Sequence, residues 1–108
     1  MASDDDAEDR VSGPVSSSDL PLSPGQDLAR SRTSRGMTVS ELAQRTKIRV
    51  SVILALEEER YDDIPKARVY IRGFLSSIAR ELGLSPDSIL EPYLTRWQAW
   101  MDAQSGPL

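Results

Sequence analysis

Cysteine and histidine are both absent from the chain, which excludes disulfides, thiol nucleophiles, imidazole bases and the usual zinc ligands. Any catalysis would have to rest on carboxylates, hydroxyls or lysine. Long apolar runs are missing as well. None approaches the roughly 18 residues that would span a bilayer, and the opening MASDDDAEDR is acidic where a secretory signal would be basic and then apolar. The sequence therefore reads as soluble and cytoplasmic. A basic excess is lacking too: the net charge is -4. In residues 1–25, Asp4, Asp5, Asp6, Glu8, Asp9 and Asp19 stand against Arg10 alone, a balance of -5 that leaves +1 on the remainder. A nucleic-acid-binding domain usually carries more positive charge, because phosphate neutralisation supplies most of its affinity.

What is present is enough for one modest core, since 108 residues at 39% hydrophobic content make a single small domain. Residues 1–25 combine carboxylates, serines and the prolines Pro14, Pro21 and Pro24 with few large apolar groups, the composition of a disordered tail that serves either solubility or partner binding. From Gln26 onward the pattern predicts an all-α bundle of about five short helices over residues 26–94, followed by a helical extension and tail over 95–108. The first helix spans about 26–35 and ends at Gly36 in a left-handed conformation. Thr38 to Glu41 is a capping box opening a second helix over 39–45. A tight turn around Thr46 to Ile48 leads to a third helix over 49–59. Pro65 is expected in the first turn of a fourth, which ends at Gly83, and Ser85 with Pro86 starts a fifth. Pro92 either kinks that helix or begins another segment. Around and beyond it, Leu90, Tyr93, Leu94, Trp97 and Met101 recur at helical spacing with Trp100 at the edge, as a packed extension of the core or as a docking or membrane-surface stripe. The expected core is Leu28, Leu42, Ala43, Ile48, Ile53, Leu56, Ile71, Leu75, Ile78, Leu82, Ile89 and Leu90.

Two aromatics lie beside the apolar stripe of the fourth helix. Wound at 100° per residue, Ile71, Leu75, Ile78 and Leu82 form the buried stripe, while Tyr70 and Phe74 fall on its shoulder with Lys66, Ser77 and Glu81 along the same edge. By geometry alone they are either the rim of the core or a grip for a partner.

Two short helices joined by a tight turn outline a helix-turn-helix. TKIR at the turn, ALEEE closing the third helix, YIRGFLSSIAREL in the fourth and GLSPDSIL opening the fifth together resemble the cytoplasmic domain of the RodZ family of bacterial cell-shape proteins, over about residues 26–94. The resemblance implies a phage-repressor-like bundle that binds the actin-like filament protein MreB. It also implies that the aromatics flanking the Arg72-Gly73 pair, Tyr70 and Phe74, occupy docking positions, and with it docking is favoured for both. The family normally continues through a basic segment and a transmembrane helix, which do not follow Leu94 here, so the resemblance leaves two expectations: the cytoplasmic part of a longer membrane-anchored protein, or a free-standing relative with another cytoplasmic partner.

The alternative is DNA binding through Arg45, Lys47, Arg49 and Ser51 around the turn, helped by Arg30, Arg32 and Arg35. Against it, the outward positions of the third helix offer Val50, Leu54 and then Glu57, Glu58 and Glu59, where base-reading side chains and neutral or positive charge would be needed. The consecutive glutamates point about 100° apart and form no catalytic pair. No phosphate loop, metal-ligand spacing or nucleophile with a base is present, so neither an enzyme nor a cofactor is expected.

Overall fold

The computed structural model describes residues 21–105; residues 1–20, with most of the expected tail, lie outside the described residues. Five α-helices follow in order: α1 Pro24–Ser34, α2 Val39–Thr46, α3 Val50–Glu58, α4 Arg68–Glu81 and α5 Pro86–Ser105, with a 3-10 helix at Tyr61–Asp63 between α3 and α4. Among the described residues there is no strand. The all-α helix-turn-helix bundle is thus the observed fold.

The helix ends follow local chemistry. Ser23 caps α1: its hydroxyl accepts from the Gln26 N–H at 3.2 Å while the Gln26 amide oxygen accepts from the Ser23 N–H at 2.9 Å. With Pro24 at the first helical position, α1 starts two residues earlier than its apolar pattern predicts. The Thr38–Glu41 box opens α2 as expected, with reciprocal bonds of 3.0 and 2.9 Å. Gly36 and Gly83 are left-handed, as a residue terminating a helix usually is. Two further stops use residues that carry a Cβ penalty there: Lys47 (φ 64) ends α2 and Glu59 (φ 55) ends α3.

Pro65 does not open α4. The helix begins at Arg68 behind an extended Ala67, because the buried Ile64 anchors the incoming chain in a β conformation, the one a residue before proline prefers. Pro92 lies inside α5, which continues past it to Ser105. The lost backbone bond is offset by packing, since Leu90, Tyr93, Leu94 and Trp97 on either side are all buried.

Eleven of the twelve expected core residues are buried; Ala43 is half-buried against the cluster. Ala55, Tyr61, Ile64, Ala79, Tyr93, Leu94 and Trp97 complete the core. The Tyr93 hydroxyl donates to the Leu56 carbonyl at 2.5 Å, and its ring meets Tyr61 edge-on at 6.1 Å. The second half of α5 therefore belongs to the bundle, with Trp97 inside it and Trp100 half-buried against Tyr61 at 5.5 Å.

Candidate functional site

The two groups of candidate residues meet at one place. Phe74 reaches from α4 to the turn between α2 and α3, and with Lys47, Ile48, Arg49, Val52 and Pro65 it lines an open cleft of about 330 Å³. The floor is apolar because Ile48 and Val52 continue the α3 stripe up to the turn, and Pro65 closes one side by standing ahead of α4 rather than within it. Lys47 and Arg49 supply the rim. Both are exposed, and among the described residues neither has an ion-pair partner.

From this cleft the α4 edge runs outward. Tyr70, one turn before Phe74, is 59% exposed, and Val69 beside it is 70% exposed. Val69 is the residue that pattern reasoning passed over. Its signal was an apolar side chain on the far side of a helix whose core stripe was already complete. Tyr70 and Phe74 do not belong to the ring pairs of the described residues, which join Tyr61 to Tyr93 and to Trp100. Ser77 is half-buried on the same edge, and Arg45 of α2 lies against it with its guanidinium 3.7 Å from Glu81. A Cβ at Gly73, between Tyr70 and Ser77, would meet nothing within 4 Å. Lys66 turns elsewhere: its ammonium sits 5.8 Å from the centre of the Trp100 ring and 3.9 Å from the Asp62 carboxylate. Ser51 is exposed in the first turn of α3, where Arg49 takes the capping position without a side-chain bond.

The glutamate run is not the solvated acidic face that its spacing suggests. Glu57 is 8% exposed and accepts two bonds from Arg32 of α1, at 2.7 and 3.0 Å, while another nitrogen of that guanidinium donates to the Met37 carbonyl at 2.9 Å. Arg32 is held above its usual pKa chiefly by this bond. It is therefore not available to a nucleic-acid backbone. Glu59 joins three elements, accepting from the Gly25 N–H at 2.8 Å, the Tyr61 hydroxyl at 2.9 Å and Arg96 at 2.8 Å. Burial alone would raise the Glu59 pKa, but the bonds from Ser23, Gly25, Arg96 and Tyr61 outweigh it and hold the carboxyl below its ordinary value. Burial, then the bond to Glu59, pushes the Tyr61 phenol up to about 12. Only Glu58 is exposed, paired with Arg60 at 2.8 Å. Glu57 and Glu59 hold α1, α3 and α5 together and are spent structurally.

Among the described residues no group of acidic side chains has the arrangement of a metal site, and no helix is long and apolar enough to cross a membrane. The bundle, the left-handed turn between α2 and α3 and the cleft at that turn define a helix-turn-helix protein. The chain belongs to the helix-turn-helix domain family whose model matches residues 27–89, and its domain is of the RodZ type. It is 37% identical over 57 residues to the "uncharacterized membrane protein YmfM" of Bacillus subtilis, covering 53% of this chain and 19% of that protein. It is 29% identical over 69 residues to the "cytoskeleton protein RodZ" of Streptococcus pneumoniae, covering 64% of this chain and 25% of that protein. The chain thus spans a quarter or less of the length of these curated relatives. No solved structure matches it.

Proposed function

We propose that this domain is a non-catalytic cytoplasmic docking module that binds an actin-like filament protein of the MreB type, or another cytoplasmic protein, through the α4 edge formed by Tyr70 and Phe74 together with Val69. The observation that carries the reading is the exposure of Tyr70 at 59% and Val69 at 70% on a helix whose other apolar residues are buried or, for Phe74, half-buried. Neighbouring exposed apolar groups on a small folded domain mark contact surfaces, and an aromatic ring gives large contact area at low entropic cost. The similarity to a protein named for the cytoskeleton supports the class of partner. Anchoring of the domain to a membrane through a segment elsewhere in the native protein fits the relative named as a membrane protein. The test pairs filament co-pelleting with thermal unfolding on Tyr70→Ala, Phe74→Ala and the double variant. Tyr70→Ala should weaken binding by about 2 kcal/mol or more with the unfolding temperature unchanged. Phe74→Ala should also cost about 1–2 kcal/mol of stability, since it is half-buried against the core. A folded double variant that pellets at full strength would exclude the α4 edge.

A second reading, binding of duplex DNA, is favoured by one observation: Lys47 and Arg49 project unpaired at the helix-turn-helix turn, with Arg45 and Ser51 beside them. The first turn of α3 offers few base-reading groups, so the contact would be chiefly to phosphates. Binding that falls steeply with salt and is lost in a Lys47→Gln/Arg49→Gln variant would support this reading. No binding at low salt would remove it.

A further inference from the structure

We propose that the cleft at the helix-turn-helix turn is the docking site for the acidic N-terminal segment of this same chain, residues Asp4 to Asp9, which covers Lys47, Arg49 and the edge of Phe74 when no partner is bound. The first argument is charge. The segment carries five carboxylates, Asp4, Asp5, Asp6, Glu8 and Asp9, ahead of Arg10. In the folded part, the cations beside most carboxylates are already committed: Arg32 to Glu57, Arg60 to Glu58 and Asp63, Arg96 to Glu59, Lys66 to Asp62 and, at 3.7 Å, Arg45 to Glu81. Among the described residues Lys47 and Arg49 remain uncommitted, and both stand on the rim of an apolar cleft. A carboxylate run has a reason to settle there rather than on an isolated arginine, because two neighbouring cations beside an apolar floor strengthen each contact.

The second argument is reach. The start of α1 is held at the C-terminal end of α3 by the Gly25–Glu59 bond, whereas the cleft lies at the N-terminal end of α3, beside Arg49 and Val52. The nine residues of α3 separate the two by about 13 Å at ~1.5 Å per residue. Between Asp9 and Ser23 the chain can extend to roughly 46 Å at ~3.3 Å per residue. Contour length therefore lets Asp4 to Asp9 reach the cleft, and linkage within one chain favours this contact over the same contact between molecules. A partner for the α4 edge would then compete with the segment at Phe74, and the acidic residues would set how readily the surface opens. The contact is a property of the chain by itself, so it can stand or fall independently of the filament reading.

The absence of cysteine makes the test direct. In the full chain, Ser3→Cys provides a unique attachment point for a nitroxide spin label, and amide signals are compared with the label oxidised and reduced. At low salt, signal loss is expected at Lys47, Ile48, Arg49, Val52 and Phe74 but not at Gln98 or Ala99 on α5. It should vanish at about 0.5 M salt, where screening acts over only a few ångströms, and in a chain carrying D4N, D5N, D6N, E8Q and D9N. Lys47→Gln/Arg49→Gln should abolish the loss while leaving the dispersion of the amide spectrum intact. Should that pair of substitutions unfold the domain, the neutralised segment carries the same information without touching the bundle. Absent or evenly spread signal loss at low salt would overturn the proposal. So would equal loss on unlabelled-spin chains mixed with labelled ones, which would make the contact one between molecules.

Discussion

Removing Arg32 should be among the most damaging single changes to this domain, for a reason the charge count of the sequence conceals. Glu57 has 7% of its side chain exposed, and Arg32 has 13%. The Arg32→Ala change leaves a carboxylate in that position with no cation and also removes the donor to the Met37 carbonyl. Breaking a buried pair from one side costs about 3–5 kcal/mol. Since a corner of the pair reaches solvent, the lower part of that range, about 3 kcal/mol, is expected. For a domain of this size, with roughly 4–13 kcal/mol of total stability, that is a large fraction. Replacing both partners, Arg32→Met with Glu57→Leu, removes the stranded charge. Only the orphaned Met37 carbonyl remains, worth about 1 kcal/mol, and the double variant should be more stable than Arg32→Ala. Urea unfolding of the parent, Arg32→Met, Glu57→Leu and the double variant gives the coupling energy, expected to be at least about 1 kcal/mol. A loss below about 0.5 kcal/mol in Arg32→Ala, or a double variant no better than the sum of the singles, would mean that Glu57 does not depend on Arg32 in solution.

Glu59 should shape the acid limb of the stability curve. Its folded pKa lies below the ordinary 4.5, so its contribution is present above that value and is lost as pH falls through the lower folded pKa. Glu59→Gln should lower stability at neutral pH by about 1–2 kcal/mol, mainly through the weakened cap on Gly25 and the lost charge beside Arg96, and thermal scans from pH 6 to 3 should run flatter than in the parent. Leu75→Ala empties a fully buried position and should cost roughly 2–5 kcal/mol by chemical denaturation; a change under half a kcal/mol would contradict the α4 register. Trp100→Ala should cost about 1 kcal/mol or more by the same assay, because it removes the contact to Tyr61 and the cation–π partner of Lys66.

Local signals in the sequence were sufficient for most of the helix architecture. The apolar stripe of α4 and the Thr38 box could be read directly, because each depends only on neighbours within one or two turns. Ser23-Pro24 is the same punctuation as Ser85-Pro86, yet it stood beside an acidic, proline-bearing stretch whose composition outweighed it. What could not be read is tertiary. Glu57 and Glu59 find their partners 25 and 34 residues earlier in the chain, in Arg32 and Gly25, and no spacing rule within α3 points there. Composition likewise cannot tell a buried glutamate from a solvated one. The candidate site was half legible. Tyr70 and Phe74 stood out by their angle on the helix, but the meeting of Phe74 with Lys47 and Arg49 depends on how α4 crosses the turn. Phe74, Lys47 and Arg49, which point to different partners when read singly, are thereby neighbours on one surface.

If the α4 edge is the docking surface proposed above, the empty space at Gly73 sets recognition against robustness. Glycine within an exposed stretch of helix costs about 0.5–1 kcal/mol relative to alanine, and a methyl group there would meet no steric obstacle. Gly73→Ala should therefore raise the melting temperature. The same methyl would fill the bare strip of backbone between Tyr70 and Ser77, and a partner seated against the ring of Tyr70 would be held off by it. A laboratory selection for heat resistance alone would be drawn to this substitution and would give up contact surface in exchange, since stability and activity commonly trade at sites kept suboptimal for use. Measured on one variant, a higher melting temperature together with weaker filament binding would locate the grip on α4 without removing a single side-chain atom from it.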